Sequence, residues 1–291
     1  MEESVVTAPS SSNEVAARSE KKTSRYVGIS GGAIFACLIL SWAIFRWHPG
    51  TQSALDQFWS PVLRDSKQVV IYAGTNAVYA PIWDPKRPDI SAQHDVVLPV
   101  LAPGEALTSK EVRAVNYELT TVGDLLATVY ITSLLSTWHV GIDVRTGENI
   151  AIGDLRHSPA ILIGGANNPW TLSMSKTLPI AYVRNVGIQD QSGNHTLWVD
   201  SLNADSTSGE SYAIIARLLN PETGKPLIMI AGLSSLGTRV AGQFITDPVL
   251  LKTLTSTAPA GWANKNLEVV LRTKVLRRDA GSPTIVAVRY W

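Results

Sequence analysis

Apolar positions in this chain repeat with two periods, and one stretch shows neither. Residues 26–45, YVGISGGAIFACLILSWAIF, carry no charge across twenty positions. As a helix rising 1.5 Å per residue they reach about 30 Å, the thickness of a bilayer's hydrocarbon core. Tyr26 at one end and Trp42 and Trp47 at the other fit interfacial aromatic belts, so residues 26–47 predict a transmembrane helix. A cleavable signal peptide competes poorly, because the run is long and no A-x-A site follows it. A lipoprotein signal at Cys37 would have to accept Phe35 just before it and an apolar continuation behind it. Lys21, Lys22 and Arg25 precede the span and Arg46 follows it, which predicts a cytoplasmic N-terminus in the inner membrane and an extracytoplasmic remainder. Residues 1–25, rich in Ser, Glu and Ala without apolar periodicity, predict a disordered cytoplasmic tail. Gly28, Gly32 and Ala36 recur every four residues, a small-residue face on which two copies could pair, although glycine is common in membrane helices anyway.

Beyond the span, residues 48–66 read as a connector and an amphipathic helix with Leu55, Phe58, Trp59, Val62 and Leu63 on one face. The pattern over 67–291 then alternates between short apolar runs and helical spacing. QVVIYAG (68–74), GIDVR (141–145) and AILIG (160–164) read as strands. So do PIAYV, TLWVD, SYAIIARLL, PLIMIAGL, NLEVVLRTKVL and PTIVAVRYW. Residues 121–140 have Leu125, Leu126, Tyr130, Leu134 and Leu135 at helical spacing, and GTRVAGQFIT and PVLLKTLT are also helical. Residues 75–110, with Pro81, Pro85, Pro88, Pro99 and Pro103, read as an irregular excursion. These elements predict an α/β domain with a mixed, mostly parallel sheet and helices on both faces, preceded by the transmembrane helix. Whether it forms one lobe or two stays open.

Composition acts mainly by exclusion. A net charge of +1 over 291 residues gives no general grip on nucleic acid. Cys37 is the only cysteine, and the five histidines never fall at ligand spacing, so no disulfide, thiolate metal site or cofactor is predicted.

The candidate chemistry sits where strands end. AILIGGANNPW stops a strand on Gly164 and Gly165, then offers Asn167 or Asn168 as a helix N-cap with Pro169 behind it. IYAGTN ends another strand on Gly74 and Thr75, and IMIAGLSSLGT leads through Ser234, Ser235, Gly237 and Thr238 into a helix. If the three strands are neighbours, these turns line one cleft that suits a small anionic ligand; taken alone, most such turns are merely structural. Arg156, in GDLRHSP, is a candidate clamp for carboxylate or phosphate, or one partner of a loop salt bridge with Asp154. Trp170 is either a stacking face or a core residue. Phosphate-loop and dinucleotide motifs are absent, and GLSSLG falls short of a nucleophile elbow because Leu236 stands where its second glycine belongs. A Ser234–His157–Asp154 triad can be drawn, but no spacing in the sequence brings these residues together.

Asp154-Leu155-Arg156, ILIGG with NNPWT, YAIIARLLNPETGK, IAGLSSLGTRVAGQFIT and GWANKNLEVVL together resemble a recurrent, functionally uncharacterised bacterial α/β module spanning about residues 55–291. That module is membrane-tethered and sometimes follows a winged helix-turn-helix and a membrane span. The resemblance implies a sensory or accessory domain and assigns no chemistry; no DNA-binding role carries over to this chain. The expected function is a membrane-anchored protein whose extracytoplasmic domain binds a small ligand without catalysis. The alternatives are a serine-type hydrolase using Ser234 and a structural subunit of a cell-envelope complex.

Overall fold

The computed structural model describes residues 53–64, 66–81, 106–146, 153–204, 206–219 and 221–291. The expected tail, the anchor with its Gly28, Gly32 and Ala36 face, and most of the proline-bearing excursion lie outside the described residues. Among the described residues no helix is long and apolar enough to cross a membrane. The longest has 16 residues, about 24 Å at 1.5 Å per residue and short of a ~30 Å hydrocarbon core. The transmembrane helix in the expected fold, and the membrane localisation attached to it, are therefore corrected.

The first helix, α1 (Ala54–Leu63), starts at a capping box in which Ser53 and Asp56 bond each other's backbone amides. Strand β1 (Gln68–Ala73) follows, then the antiparallel pair β2 (Asn76–Pro81), inside the start of the expected excursion, and β3 (Val112–Leu119), just beyond its end. Helix α2 (Val122–Thr137) leads to β4 (Gly141–Thr146), the short α3 (Asp154–His157), β5 (Ala160–Ile163) and α4 (Pro169–Ser175). Next come β6 (Ile180–Val183), β7 (Gly187–Asp190), β8 (Leu197–Trp198), β9 (Ser208–Leu218) and β10 (Leu227–Gly232). Helices α5 (Ser235–Thr246) and α6 (Pro248–Thr255) then return the chain to β11 (Leu267–Leu276), β12 (Asp279–Ala280) and β13 (Thr284–Tyr290).

The main sheet runs β12-β11-β9-β10-β5-β1-β4, with β13 also paired to β11. Strands β4, β1, β5 and β10 are mutually parallel. The other half is antiparallel, so the sheet is mixed rather than mostly parallel. Short connections are one reason. The β9–β10 link spans Leu219 to Pro226, and the β11–β12 turn is Arg277-Arg278, both at positive φ (53° and 62°); a parallel neighbour needs a crossover of a dozen residues or more.

Alternation along the strands feeds two cores. Val69, Ile71, Ile161, Ile163, Ile228 and Ile230 pack under α1, α2, α5 and α6. Tyr72, Leu162, Met229 and Ile214 face the other way, with Leu155 of α3 and with Ile180, Tyr182 and Ile188. Those last three belong to a separate antiparallel sheet, β6-β7-β8. The second face is thus covered by a small sheet as well as by short helices, which corrects the expectation of helices on both faces.

A charged side chain of β9 runs into the helical core. Arg217 on β9 is fully buried and donates to the carbonyls of Gln57, Phe58, Trp262 and Lys265 at 2.9–3.3 Å. Its guanidinium lies 5.3 Å from the ring centroid of Phe58 and 5.0 Å from that of Trp262. Pro61 inside α1 has no N–H to give the Gln57 carbonyl, and Arg217 supplies the missing donor. Burial lowers its pKa to about 10, which still leaves it charged at neutral pH.

Candidate functional site

Among the parallel strands the spatial order is second, first, third, fourth in chain order. Direction of progression reverses between β1 and β5, the switch point above which open α/β sheets hold ligands at the carboxyl ends of the strands. There the exits of β1 and β5 are stitched together: Gly74 N–H donates to the Ile163 carbonyl (2.8 Å) and Thr75 N–H to the Asn167 carbonyl (3.2 Å). Gly164 N–H reaches the Ile230 carbonyl of β10 (3.0 Å), tying in the third strand. Gly164 has φ +107°, a conformation that favours glycine.

Asn168 holds this junction from beneath. It is fully buried; its side-chain oxygen caps α4 by accepting from the Trp170 and Thr171 amides, and its NH₂ donates to the Tyr72 and Ile163 carbonyls. All four bonds are internal. Asn167 instead turns upward and donates to the Asp124 carboxylate at 2.7 Å.

Above the junction opens a cleft of about 460 Å³, within the range of small-molecule sites. Of the sequence candidates, Thr75, Gly165, Asn167, Ser234, Ser235 and Thr238 line it. Gly74, Gly164, Asn168 and Gly237 belong to the supporting turns and do not. Arg156 lies elsewhere, exposed on α3, and the Asp154 beside it pairs with Arg145 at 2.9 Å. Trp170 is half-buried against the second core.

The structure adds residues that the sequence reading missed. Asp124, in the first turn of α2, is 1% exposed yet lines the cleft. Its carboxyl is held by Asn167 and by the Thr121 and Thr238 hydroxyls, while burial, the larger effect, raises its pKa above the usual carboxylate range. Tyr182 and Arg184 arrive from the small sheet. The Tyr182 hydroxyl accepts from Ala166 N–H (3.2 Å), and burial pushes its pKa up. Arg184 is exposed at the rim and makes no hydrogen bond or ion pair among the described residues. The signal that could have found Asp124 is a Thr-x-x-Asp start opening an apolar helix directly after a strand-paired segment. Tyr182 and Arg184 left no local signal, because they reach the cleft from a different sheet.

Close approach fixes how the helices enter. A Cβ on Gly123 would fall 1.7 Å from the Ser235 carbonyl oxygen, so only glycine lets the starts of α2 and α5 meet. Gly123 N–H donates there to Ser235 Oγ (2.8 Å). Ser234 caps α5 through Gly237 N–H (3.3 Å) and bonds Ser211 Oγ (2.6 Å), which donates to Asp200 (2.9 Å). This hydroxyl chain contains no histidine. His157 bonds the Gly153 carbonyl through Nδ1 (2.6 Å), and neither it nor Asp154 lines the cleft, so the triad drawn from the sequence is not assembled. Among the described residues no cluster of metal-ligating side chains occurs.

No family model, curated protein or solved structure matches this sequence, so the class reached here, an α/β domain with a polar cleft at its switch point, rests on geometry alone.

Proposed function

We propose that residues 53–291 form a non-catalytic binding or sensor module that takes a small, polar, anionic ligand in the cleft above β1 and β5. One observation carries this reading: three parallel strands end beside one another, and their exit turns line an open polar cleft at the switch point. The hydroxyl and amide lining suits recognition, and Arg184 offers a positive charge at the entrance. Among the described residues no histidine stands beside Ser234, whose hydroxyl is tied to Ser211 and Asp200, and this weighs against a histidine-assisted hydrolase.

The test is a thermal-shift screen of the full chain against a broad library of small polar metabolites, repeated with Ala166→Phe, which places a ring in the cleft. At least one compound is expected to stabilise the parent protein, as any ligand selective for the folded state must, and to lose its effect on the filled variant. If no compound stabilises the parent, or if every stabiliser acts equally on Ala166→Phe, the cleft is not the binding site.

A further inference from the structure

We propose that the ligand of this cleft is a small phosphate ester bearing a free hydroxyl, its phosphate at the rim by Arg184 and its hydroxyl at the floor by Asp124. The proposal rests on the binding role argued above and is read from which polar groups in the cleft already have partners.

The committed groups come first. Asn167 gives its NH₂ to Asp124, and the Thr121 and Thr238 hydroxyls also hydrogen-bond that carboxyl. Both threonine oxygens are engaged on their other side, Thr121 Oγ1 by Asp124 N–H (3.1 Å) and Thr238 Oγ1 by Gly232 N–H (3.1 Å). Ser234 is tied to Ser211 and Gly237. Thr121, Thr238 and Ser234 therefore have no proton left for a ligand, and Asn167 keeps one N–H.

The uncommitted groups are mostly donors. Among the described residues the hydroxyl protons of Thr75, Tyr182 and Ser235 have no acceptor, and the Arg184 guanidinium has no partner. They come from the turn after β1, from β6, from α5 and from the turn after β6, so they surround the cleft rather than forming one planar fork. A tetrahedral phosphate, with three terminal oxygens, can accept from several directions at once, whereas a carboxylate offers two oxygens in one plane. Arginine binds phosphate through paired N–H groups.

The free acceptors are fewer; the side-chain amide of Asn76, at the rim, has no partner among the described residues and offers one oxygen beside its two N–H groups. The side-chain oxygen of Asn167 has no partner among the described residues. Asp124 has about four acceptor sites, three of them used. One carboxylate site and one amide oxygen, close together on the floor, match a hydroxyl donor. Depth separates the two ends: Asp124 is 1% exposed and Arg184 is on the surface. The ligand's negative charge therefore stays at the rim, away from Asp124. Asp200, the other nearby acid, is held by Tyr212 N–H (2.9 Å) and Ser211 and does not line the cleft.

The experiment is calorimetric titration of the full chain with ribose 5-phosphate, ribose, gluconate and inorganic phosphate, using the parent, Arg184→Gln and Tyr182→Phe. Ribose 5-phosphate is expected to bind at least tenfold more tightly than each of the other three. Arg184→Gln, a surface change that leaves the fold alone, is expected to weaken it tenfold or more, and Tyr182→Phe by about three- to tenfold. Equal affinity for ribose or gluconate, or an unchanged affinity in Arg184→Gln, overturns the phosphate assignment. Equal affinity for inorganic phosphate overturns the hydroxyl at Asp124. If all four probes fail while library compounds still bind the cleft, the ligand class is wrong and the binding role stands; if the library also fails, the binding role itself falls.

Discussion

Replacing Glu268 by glutamine isolates the energetics of a buried acid without a counter-ion. Glu268 on β11 is fully buried beneath the small sheet, where Oε2 accepts the Ile180 amide at 3.0 Å and Oε1 has no partner. Arg289 stands directly across on β13, but its guanidinium goes to both oxygens of Asp190, at 2.9 and 3.0 Å. Burial, opposed only partly by the Ile180 bond and Arg289, raises the Glu268 pKa from 4.5 to about 8. The folded protein thus keeps the proton while the unfolded chain releases it above pH ~4.5. The raised folded pKa favours folding fully below that point, and the contribution is lost as pH rises, until ionisation in both states levels the curve above about 8. The slope is about 1.4 kcal/mol per pH unit, which over pH 5 to 7.5 amounts to roughly 3 kcal/mol. Glutamine has nearly the same shape and cannot ionise, so urea denaturation of Glu268→Gln is expected to lack this loss. Subtracting the two pH profiles cancels every other titrating group. Parallel profiles would mean that Glu268 is ionised in the folded state, and the burial argument would be refuted.

Two further substitutions probe the other core. Arg217→Leu leaves the Gln57, Phe58, Trp262 and Lys265 carbonyls without their shared donor and is expected to cost about 3–5 kcal/mol in urea denaturation; Arg217→Lys, with one compact ammonium in place of the fork, recovers only part of that. Gly242→Ala puts a Cβ 2.6 Å from that of Ala127 where α5 crosses α2, with an expected loss of about 1–3 kcal/mol. Ala127→Gly in the same chain is expected to restore much of it; a purely additive double mutant would show that the two helices are not in contact there.

Elements with continuous apolar runs were legible from the sequence. The strands around Ile71, Ile161, Ile228 and Val270 fall where the pattern predicts them, because burial on both faces leaves an unbroken apolar signature. Helix α2 was located correctly but its buried stripe only in part, at Leu135. Leu125 is 52% exposed while Asp124, Ala127, Ile131 and Leu135 are buried, since a helix apolar nearly all round does not declare its inner face. Strand β2 was hidden inside a proline-bearing stretch and β3 follows directly behind it, and β7, reading GIQD, is too short to show a period. Strand pairing is non-local, and nothing in PIAYV distinguishes membership of the main sheet from a second one.

The site divides along the same line. Turn residues such as Gly165, Asn167 and Ser235 could be found because strand-to-helix grammar is local; which of them face the cleft and which brace it could not. Asn168 looks as exposed as Asn167 in the sequence, yet it spends all four hydrogen bonds inside the protein. The division follows from the sheet itself. Parallel strands all exit on one edge, so β1, β5 and β10 deliver three turns to the same place, whereas the antiparallel strands of the main sheet, β9, β11, β12 and β13, alternate their ends and contribute none to the cleft lining. What completes the cleft is the approach of α2 and α5, permitted by Gly123 against Ser235 and by Gly242 against Ala127. Two missing side chains on the packing face of two helices therefore decide whether Asp124, Thr238 and Ser235 meet at all.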